Sequence, residues 1–337
     1  MKSLQIFSTR RSNGIFLAGL CILPLAAAAF SLLFGPVKLP PEQALNALTG
    51  READPVAVRI ILYSRLPRTC AAMLAGAALA VSGAVIQTVL DNPLASPGVI
   101  GVNSGAGFAV AFLCAASPPA QQYTPLAAFC GALAGVLLVT VLSQRTGASR
   151  MTVVLAGVAI SALFSAGIDA VVTLVPEAVS GITDFRIGGF TGVTMVQLTP
   201  AAWLILVSLG IVLSLSRQMD ILALGSDTAQ SLGLSVRSVR FILLVLAAAL
   251  AGAAVSFGGL MGFVGLVVPH TMRRLLGESS FPLLLSSALG GAFFVTVCDL
   301  LARVLFSPFE LPVGIILAFT GVPFFLWLLF KQKGVRI

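Results

Sequence analysis

The sequence has few charged residues. Asp, Glu, Lys and Arg make up 9% of its 337 residues, hydrophobic residues make up 58%, and the mean hydropathy is +1.05. A soluble domain carries about a quarter charged residues, so a water-soluble chain of this length could not cover its surface with this composition. The shortage of charge excludes a cytosolic enzyme, a disordered chain and a coiled coil, and it places most of the chain in a lipid bilayer.

The residues that build most catalytic and metal sites are also scarce. His270 is the only histidine, and none of the five cysteines forms a CxxC pair, so the sequence predicts no metal site, no disulfide framework and no Ser–His nucleophile. No GxxxxGKS/T motif occurs, so we expect no ATP site and no cofactor in this chain. The net charge is +8, but the longest basic clusters are the pairs Arg10-Arg11 and Arg273-Arg274, which disfavours nucleic-acid binding.

About ten apolar runs dominate the sequence, and each is expected to form a helix of an all-α, multi-pass membrane protein. A spanning helix needs roughly 20 mostly apolar residues. The runs cover Ile15–Phe34, Leu66–Leu90, Leu94–Cys114, Thr124–Ser143, Met151–Val175, Leu198–Leu215, Val236–Phe257, Gly258–Val268, Phe281–Leu305 and Leu311–Phe330. We expect them to form a single transmembrane domain over residues 1–337.

Glycine and proline interrupt two of these runs and connect others. The segments Asp91–Gly98 and Gly258–Pro269 look broken at the backbone, and they fall in corresponding elements of two halves, spans two to five and seven to ten. Paired broken segments are typical of transporters with internal repeats. Three GxxxG spacings are expected to let helix backbones approach closely; they are Gly101-xxx-Gly105, Gly131-xxx-Gly135 and Gly258-xxx-Gly262.

The distribution of the cations predicts the orientation of the chain. An even number of spans puts both termini on one side, and placing them in the cytoplasm puts 13 of the 20 Lys and Arg residues inside, which satisfies the positive-inside rule. The seven outer cations are Lys38, Arg51, Arg59, Arg65, Arg68, Arg186 and Arg303.

Three of these outer arginines stand in informative positions. Arg65 and Arg68 lie three residues apart at the mouth of the second span, with Pro67 in its first turn. They could anchor to phospholipid headgroups, or they could dock carboxylates of an external partner, because arginine forms bidentate pairs with carboxylates. Arg303 follows Asp299 by four residues, a spacing that permits a local ion pair in either a structural or a functional role.

The largest cytoplasmic loop, residues 217–237, is rich in small and apolar residues. Gly225 and Gly233 bracket a short amphipathic helix, and Ser226 or Asp227 is its expected N-cap. The loop could pack on the membrane surface, or a peripheral subunit could cover it.

Six segments, in order along nearly the whole chain, resemble the permease family of bacterial ABC importers for iron-siderophores, haem and vitamin B12. They are Arg65-Leu66-Pro67-Arg68, Gly76-Ala77-Ala78-Leu79-Ala80-Val81-Ser82-Gly83, Asn92-Pro93-Leu94-Ala95-Ser96-Pro97-Gly98, Leu222-Ala223-Leu224-Gly225, Gly262-Phe263-Val264-Gly265-Leu266-Val267-Val268-Pro269-His270 and Glu310-Leu311-Pro312-Val313-Gly314.

The resemblance implies a BtuC-like type II importer fold with ten helices in the bacterial inner membrane. It implies a second permease subunit, in a homo- or heterodimer, two cytoplasmic ATPase subunits that bind ATP and Mg, and an extracytoplasmic substrate-binding protein. In this sequence it assigns binding-protein docking to Arg65, Arg68 and Arg303. It places a cytoplasmic gate near Ser149. It assigns ATPase coupling to Leu222, Ala223, Leu224, Gly225, Ser226, Leu232 and Gly233.

The function expected from residues and resemblance together is that of the transmembrane permease subunit of an ABC importer for an iron-siderophore complex. Vitamin B12 or haem is the alternative substrate. An ion-coupled secondary transporter is the alternative of another class, although few ionisable residues lie in the spans, which disfavours it. A membrane-embedded enzyme has no nucleophile, base or metal-ligand cluster to support it.

Overall fold

The computed structural model describes residues 10–51, 54–117, 122–145 and 150–333. The regular structure of these residues is entirely helical, so the predicted fold class is confirmed. The helices are α1 (Arg10–Leu33), α2 (Pro41–Thr49), α3 (Pro55–Ile60), α4 (Leu66–Leu90), α5 (Val102–Ala116), α6 (Thr124–Arg145), α7 (Arg150–Leu174), α8 (Val179–Ile187), α9 (Met195–Ser214), α10 (Ser216–Ala223), α11 (Ser226–Ser231), α12 (Val236–Gly258), α13 (Val264–Leu276), α14 (Ser280–Val304) and α15 (Val313–Lys333).

Most of the predicted membrane runs coincide with apolar helices. Within the described ranges, six helices are long and apolar enough to cross a membrane; they cover Pro55–Leu90, Thr124–Ser143, Met151–Leu174, Met195–Ser214, Val236–Gly258 and Ser280–Val304. Three shorter apolar helices cover Ala18–Leu33, Val102–Ala116 and Val313–Trp327. Nine of the ten predicted runs therefore contain an apolar helix.

The predicted bounds of the eighth span, Gly258–Val268, are wrong, because the helix at this place in the chain is α13, Val264–Leu276. α12 ends at Gly258, residues 259–263 are not helical, and only then does α13 begin. Gly259 and Phe263 have φ angles of 68° and 66°, and a right-handed helix cannot pass through residues with positive φ. α13 has 13 residues, which makes it about 20 Å long and shorter than the bilayer core of about 30 Å.

The second span begins eleven residues earlier than predicted. One π-helical turn, Ile61–Arg65, joins α3 to α4 and makes a continuous helix of 36 residues from Pro55 to Leu90. The carboxylate of Asp54 accepts a hydrogen bond from the N–H of Val56 at 2.9 Å and caps its start. Pro67 thus lies inside a long helix, where it has no N–H to donate, and the wider π turn directly before it accommodates its ring.

α4 forms the centre of the bundle, and glycine allows its neighbours to approach. Gly76 of α4 lies against Gly291 of α14, and Gly83 of α4 lies against Gly265 of α13, so closely that a Cβ on either α4 glycine would overlap a backbone carbonyl. Helices in lipid associate through such close backbone packing. The contacts of α4 with α13 and α14 therefore depend on glycine.

Two of the three predicted GxxxG contacts are confirmed, and they meet each other. Gly105 of α5 packs on Gly131 of α6, and Gly135 of α6 packs on Gly101 at the start of α5. The third is wrong, because Gly262 lies in the non-helical connection and has no neighbour within 4 Å of an added Cβ.

The two halves pack in the same pattern. α4 contacts α12 and α14, while its counterpart α12 contacts α4 and α6; α5 contacts α6 and α7, while α13 contacts α14 and α15. The cap residues repeat as well. Asp91 and Gly259, which end α4 and α12, and Gly101 and Phe263, which precede α5 and α13, all have positive φ. The predicted correspondence of the two broken segments agrees with this packing.

We expect Gly83→Val to destabilise the bundle by about 1–3 kcal/mol, because its side chain would overlap the backbone of α13. The measurement is the thermal aggregation midpoint of the detergent-purified protein. Gly210→Val in α9 is the matched control, since an added Cβ there meets no atom within 4 Å. Equal midpoints for the two variants would contradict the close-packing account.

Candidate functional sites

Four charged side chains meet near the C-terminal end of α14: Arg68, Asp299, Arg303 and Glu310. Together with Arg65 they are named the outer charged cluster, after the side on which the sequence predicts them. The Nε of Arg68 donates to both oxygens of Asp299, at 3.0 and 3.3 Å, and its Nη1 donates to Glu310. The Nε of Arg303 lies 3.1 Å from Oδ2 of Asp299, the oxygen that is 3.3 Å from Nε of Arg68. The Asp299 side chain is fully buried, so two guanidinium groups compensate one carboxylate that water cannot reach.

The predicted ion pair between Asp299 and Arg303 is confirmed. A hydroxyl network extends it toward α1, because Nη2 of Arg303 donates to Oγ of Ser31 at 2.6 Å, and that hydroxyl lies 2.7 Å from the hydroxyl of Thr69. The cluster therefore joins three helices, α1, α4 and α14, at one end of the bundle.

Arg65 makes no ion pair with the rest of the cluster. Its guanidinium donates to the carbonyls of Leu32, Leu33 and Val37 at 2.8, 2.7 and 2.6 Å. These carbonyls lie at and beyond the C-terminal end of α1, where a cation satisfies groups that have no partner in the helix. Gly35 leaves the room for this contact, since a Cβ there would lie 3.1 Å from the guanidinium.

The three predicted docking residues are thus brought together, and all are buried. Their exposed fractions are 3% for Arg65, 7% for Arg68 and 1% for Arg303. The other outer cations, Lys38, Arg51, Arg59 and Arg186, are exposed. The docking of an external partner by the three buried arginines stays a prediction, and of the three only Arg68 bonds to a carboxylate that water reaches, that of Glu310.

Two members of this network were missed by sequence reasoning. Ser31 and Glu310 are separated from their partners by 272 and 242 residues, so helical periodicity carries no signal for them. Glu310 does begin the last of the six family segments. An acid directly beside an apolar span is a signal that could have led to it.

The loop of residues 217–237 forms two short helices, α10 and α11, separated by a glycine turn. Gly225 has a φ of 102° and Gly233 a φ of 84°, conformations that glycine adopts without strain. The predicted N-cap at Ser226 or Asp227 is wrong: Gly225 is the N-cap, and Ser226 is already helical, because the turn needs the glycine directly before the helix.

The predicted coupling residues divide into an inner and an outer set. Leu222 is fully buried, and it holds the loop to the bundle. Leu224 and Leu232 have exposed fractions of 61% and 60%. Two exposed leucines on one loop present apolar surface that a partner could cover.

Two polar contacts connect this loop to the long helices. Asp220 of α10 accepts a hydrogen bond from the N–H of Ser280 at the start of α14, at 2.8 Å. A carboxylate is favourable at a helix N-terminus. Arg240 of α12 donates to the hydroxyl of Ser226 at 3.1 Å. The loop is therefore tied to α12 and to the end of α14 opposite the outer charged cluster.

The predicted gate residue, Ser149, lies outside the described residues. A cavity of about 420 Å³ lies between the neighbouring ends of α6 and α7 and the loop, and its lining includes Ser143, Val153 and Ser226. In the part of the chain that the structure describes, no group of three His, Cys, Asp or Glu side chains could hold a metal ion.

Comparison with known proteins gives the family. Residues 22–331 match the model of the FecCD transport family. The chain belongs to the FecCD transport family. Recognition of this family from the six segments is confirmed, and the chain is a multi-pass transport permease rather than an enzyme.

Two relatives and one structure illustrate the range of these FecCD permeases. The chain is 38% identical over 316 residues to the achromobactin transport system permease protein CbrC of Dickeya dadantii, covering 93% of this chain and 90% of CbrC. It is 36% identical over 335 residues to the hemin transport system permease protein HmuU of Yersinia pestis, covering 96% and 97%. An inward-facing metal-chelate type ABC transporter matches with a TM-score of 0.84 at 30% identity, over 94% of this chain and 99% of that one.

We expect Asp299→Ala to destabilise this FecCD permease by about 3–5 kcal/mol, because the variant leaves the guanidinium groups of Arg68 and Arg303 buried without their shared carboxylate. Asp169→Ala is the matched control, since Asp169 is an exposed acid on α7. The measurement is the thermal unfolding midpoint in detergent, and a midpoint as high as that of the control would refute a structural role for Asp299.

Proposed function

We propose that this chain is the transmembrane permease subunit of a binding-protein-dependent ABC importer that carries an iron–siderophore complex. The observation that carries the proposal is the match to relatives that include a probable siderophore transport system permease of Bacillus subtilis, YfhA, at 37% identity over 82% of this chain. Family membership and the exposed coupling loop support the same function. Haem is the second candidate substrate, because the hemin permease HmuU matches over 96% of the chain.

A second permease subunit, identical or homologous, completes the pathway. The exposed surface of α7 supports this. Only 22% of its apolar stretch is buried in the bundle, whereas 78% is buried in the helix that contains α4. Asp169 and Thr173 lie exposed on α7. Such polar groups are unfavourable against lipid and favourable beside a water-filled path.

Two cytoplasmic ATPase subunits bind the loop of α10 and α11 and hold the ATP and Mg. The apolar surface of Leu224 and Leu232 fits a groove on such a partner, since burying a leucine contributes roughly 1.5–3 kcal/mol. Movement of the loop reaches the bundle through the Asp220–Ser280 and Arg240–Ser226 hydrogen bonds. Coupling is then a mechanical, two-state rearrangement biased at the loop.

The orientation follows from the same roles. We place the protein in the bacterial inner membrane with both termini and the loop in the cytoplasm. The excess of Lys and Arg on that side, 13 of 20, supports this orientation. The outer charged cluster then lies at the end of the bundle where the substrate-binding protein docks, and the positive charges of Arg65, Arg68 and Arg303, although buried, attract acidic groups of that protein.

The test of this function is uptake by proteoliposomes. The permease, its ATPase and its binding protein are reconstituted, and uptake of iron-labelled siderophores, ferric citrate and haem, and of labelled vitamin B12, is followed. We expect accumulation of a ferric siderophore that requires the binding protein and ATP hydrolysis. Uptake driven by an ion gradient without the ATPase would instead support a secondary transporter and overturn the proposal.

We expect the double variant Leu224→Asp, Leu232→Asp to weaken ATPase association by at least about tenfold, because two exposed apolar contacts are lost while the fold is unaffected. Co-purification and transport-coupled ATP hydrolysis measure the effect. Val196→Asp is the control, an exposed apolar residue at the start of α9, away from the loop. Unchanged coupling in the double variant would remove the proposed role of the loop.

A further inference from the structure

Glu310 is the one acid of the outer charged cluster that water reaches. Its side chain is 29% exposed, whereas those of Arg68 and Asp299 are 8% and 0% exposed. We propose that Glu310 competes with the docking protein for Arg68. Its carboxylate binds the Nη1 side of the Arg68 guanidinium, and an acidic side chain of the docking protein displaces it. This inference rests on the proposed function, since it assumes that an external binding protein docks at this end of the bundle.

The guanidinium of Arg68 has one side that stays bound to Asp299 and another side on which one carboxylate can replace another. Its Nε is held by both oxygens of Asp299, at 3.0 and 3.3 Å, while Nη1 bonds to Glu310 alone. A guanidinium offers a planar fork of donors that suits bidentate binding of a carboxylate. A second carboxylate can therefore bind the side of the guanidinium that includes Nη1 without disturbing the bond between Nε and Asp299.

The energetics also select Glu310 as the group that leaves. Removing Asp299 would strand two buried cations, whereas the Glu310 carboxylate can return to water, and ion pairs open to solvent contribute little to stability. Residues 305–310, which form the turn that carries Glu310, are all exposed, so its side chain has room to move. The N–H of Leu311 bonds to the carbonyl of Ala302 at 3.1 Å, which anchors the base of the turn while the side chain of Glu310 swings.

The charge of the cluster changes sharply when Glu310 turns away. In the closed state, with Glu310 in place, the guanidinium groups of Arg68 and Arg303 face two carboxylates. In the open state, with Glu310 turned away, they face only that of Asp299. The open cluster therefore attracts an acidic partner more strongly. Phe306 and Phe309, in the turn that carries Glu310, are 52% and 77% exposed, and aromatic side chains are enriched in protein interfaces.

The test measures binding of the cognate substrate-binding protein to the permease–ATPase complex in nanodiscs. We expect Glu310→Gln to bind about three- to tenfold more tightly than the wild type, because the competing charge is gone. The gain should be larger at about 0.05 M than at about 0.3 M salt, since screening weakens exposed charges. Glu177→Gln, which removes an exposed acid from the turn after α7, is the matched control and should bind like the wild type.

A conservative variant separates displacement from a change in overall charge. Glu310→Asp keeps the charge but has a shorter reach to Arg68, so we expect an affinity between those of the wild type and Glu310→Gln. Unchanged or weaker binding by Glu310→Gln, or wild-type binding by Glu310→Asp beside tighter binding by Glu310→Gln, would overturn the competitor role. Absence of binding by the wild type itself would instead count against the proposed function.

Discussion

Close approach of helix backbones is the constraint on which the rest of this structure depends. Lipid is as apolar as the side chains that face it, so the hydrophobic effect does not drive helices together in a bilayer. They are held instead by close packing and by polar contacts. Here α4 meets α14 and α13 at glycines, and α5 meets α6 at two more glycine pairs. Because these contacts are tight, the helices meet in fixed registers, and the charged side chains of α4 and α14 come within hydrogen-bonding distance.

The charged contacts then tie the two ends of α14 to different parts of the protein. This helix has 25 residues and is about 37 Å long. At its first residue, Ser280, it bonds to the loop of α10 and α11, and near its last turn Asp299 holds Arg68 and Arg303. A single rigid element thus connects the surface proposed for the ATPase with the surface proposed for the binding protein, which is a simple physical basis for communication between them.

Local features of this chain were predictable from its sequence, and long-range ones were not. Apolar runs and GxxxG spacings depend on neighbouring residues, so nine of ten apolar helices and the close backbone approach at two GxxxG spacings were correctly predicted. The exact course of the backbone around residues 259–263 was missed, because Phe263 is a residue that rarely adopts a positive φ. The burial of Arg65 and Arg68 was missed because their partners lie on α1, on α14 and in the turn before α15.

The π turn at Ile61–Arg65 shifts the helical register of the segment before it relative to α4. Such a turn contains one residue more than an α-helical turn, so everything before it is rotated about the helix axis relative to α4. α3 therefore presents a different face to the bundle than an uninterrupted α-helix would give it at the same positions. A residue inserted at this turn would rotate the segment before it again, while the glycines of α4 would keep their register against α13 and α14.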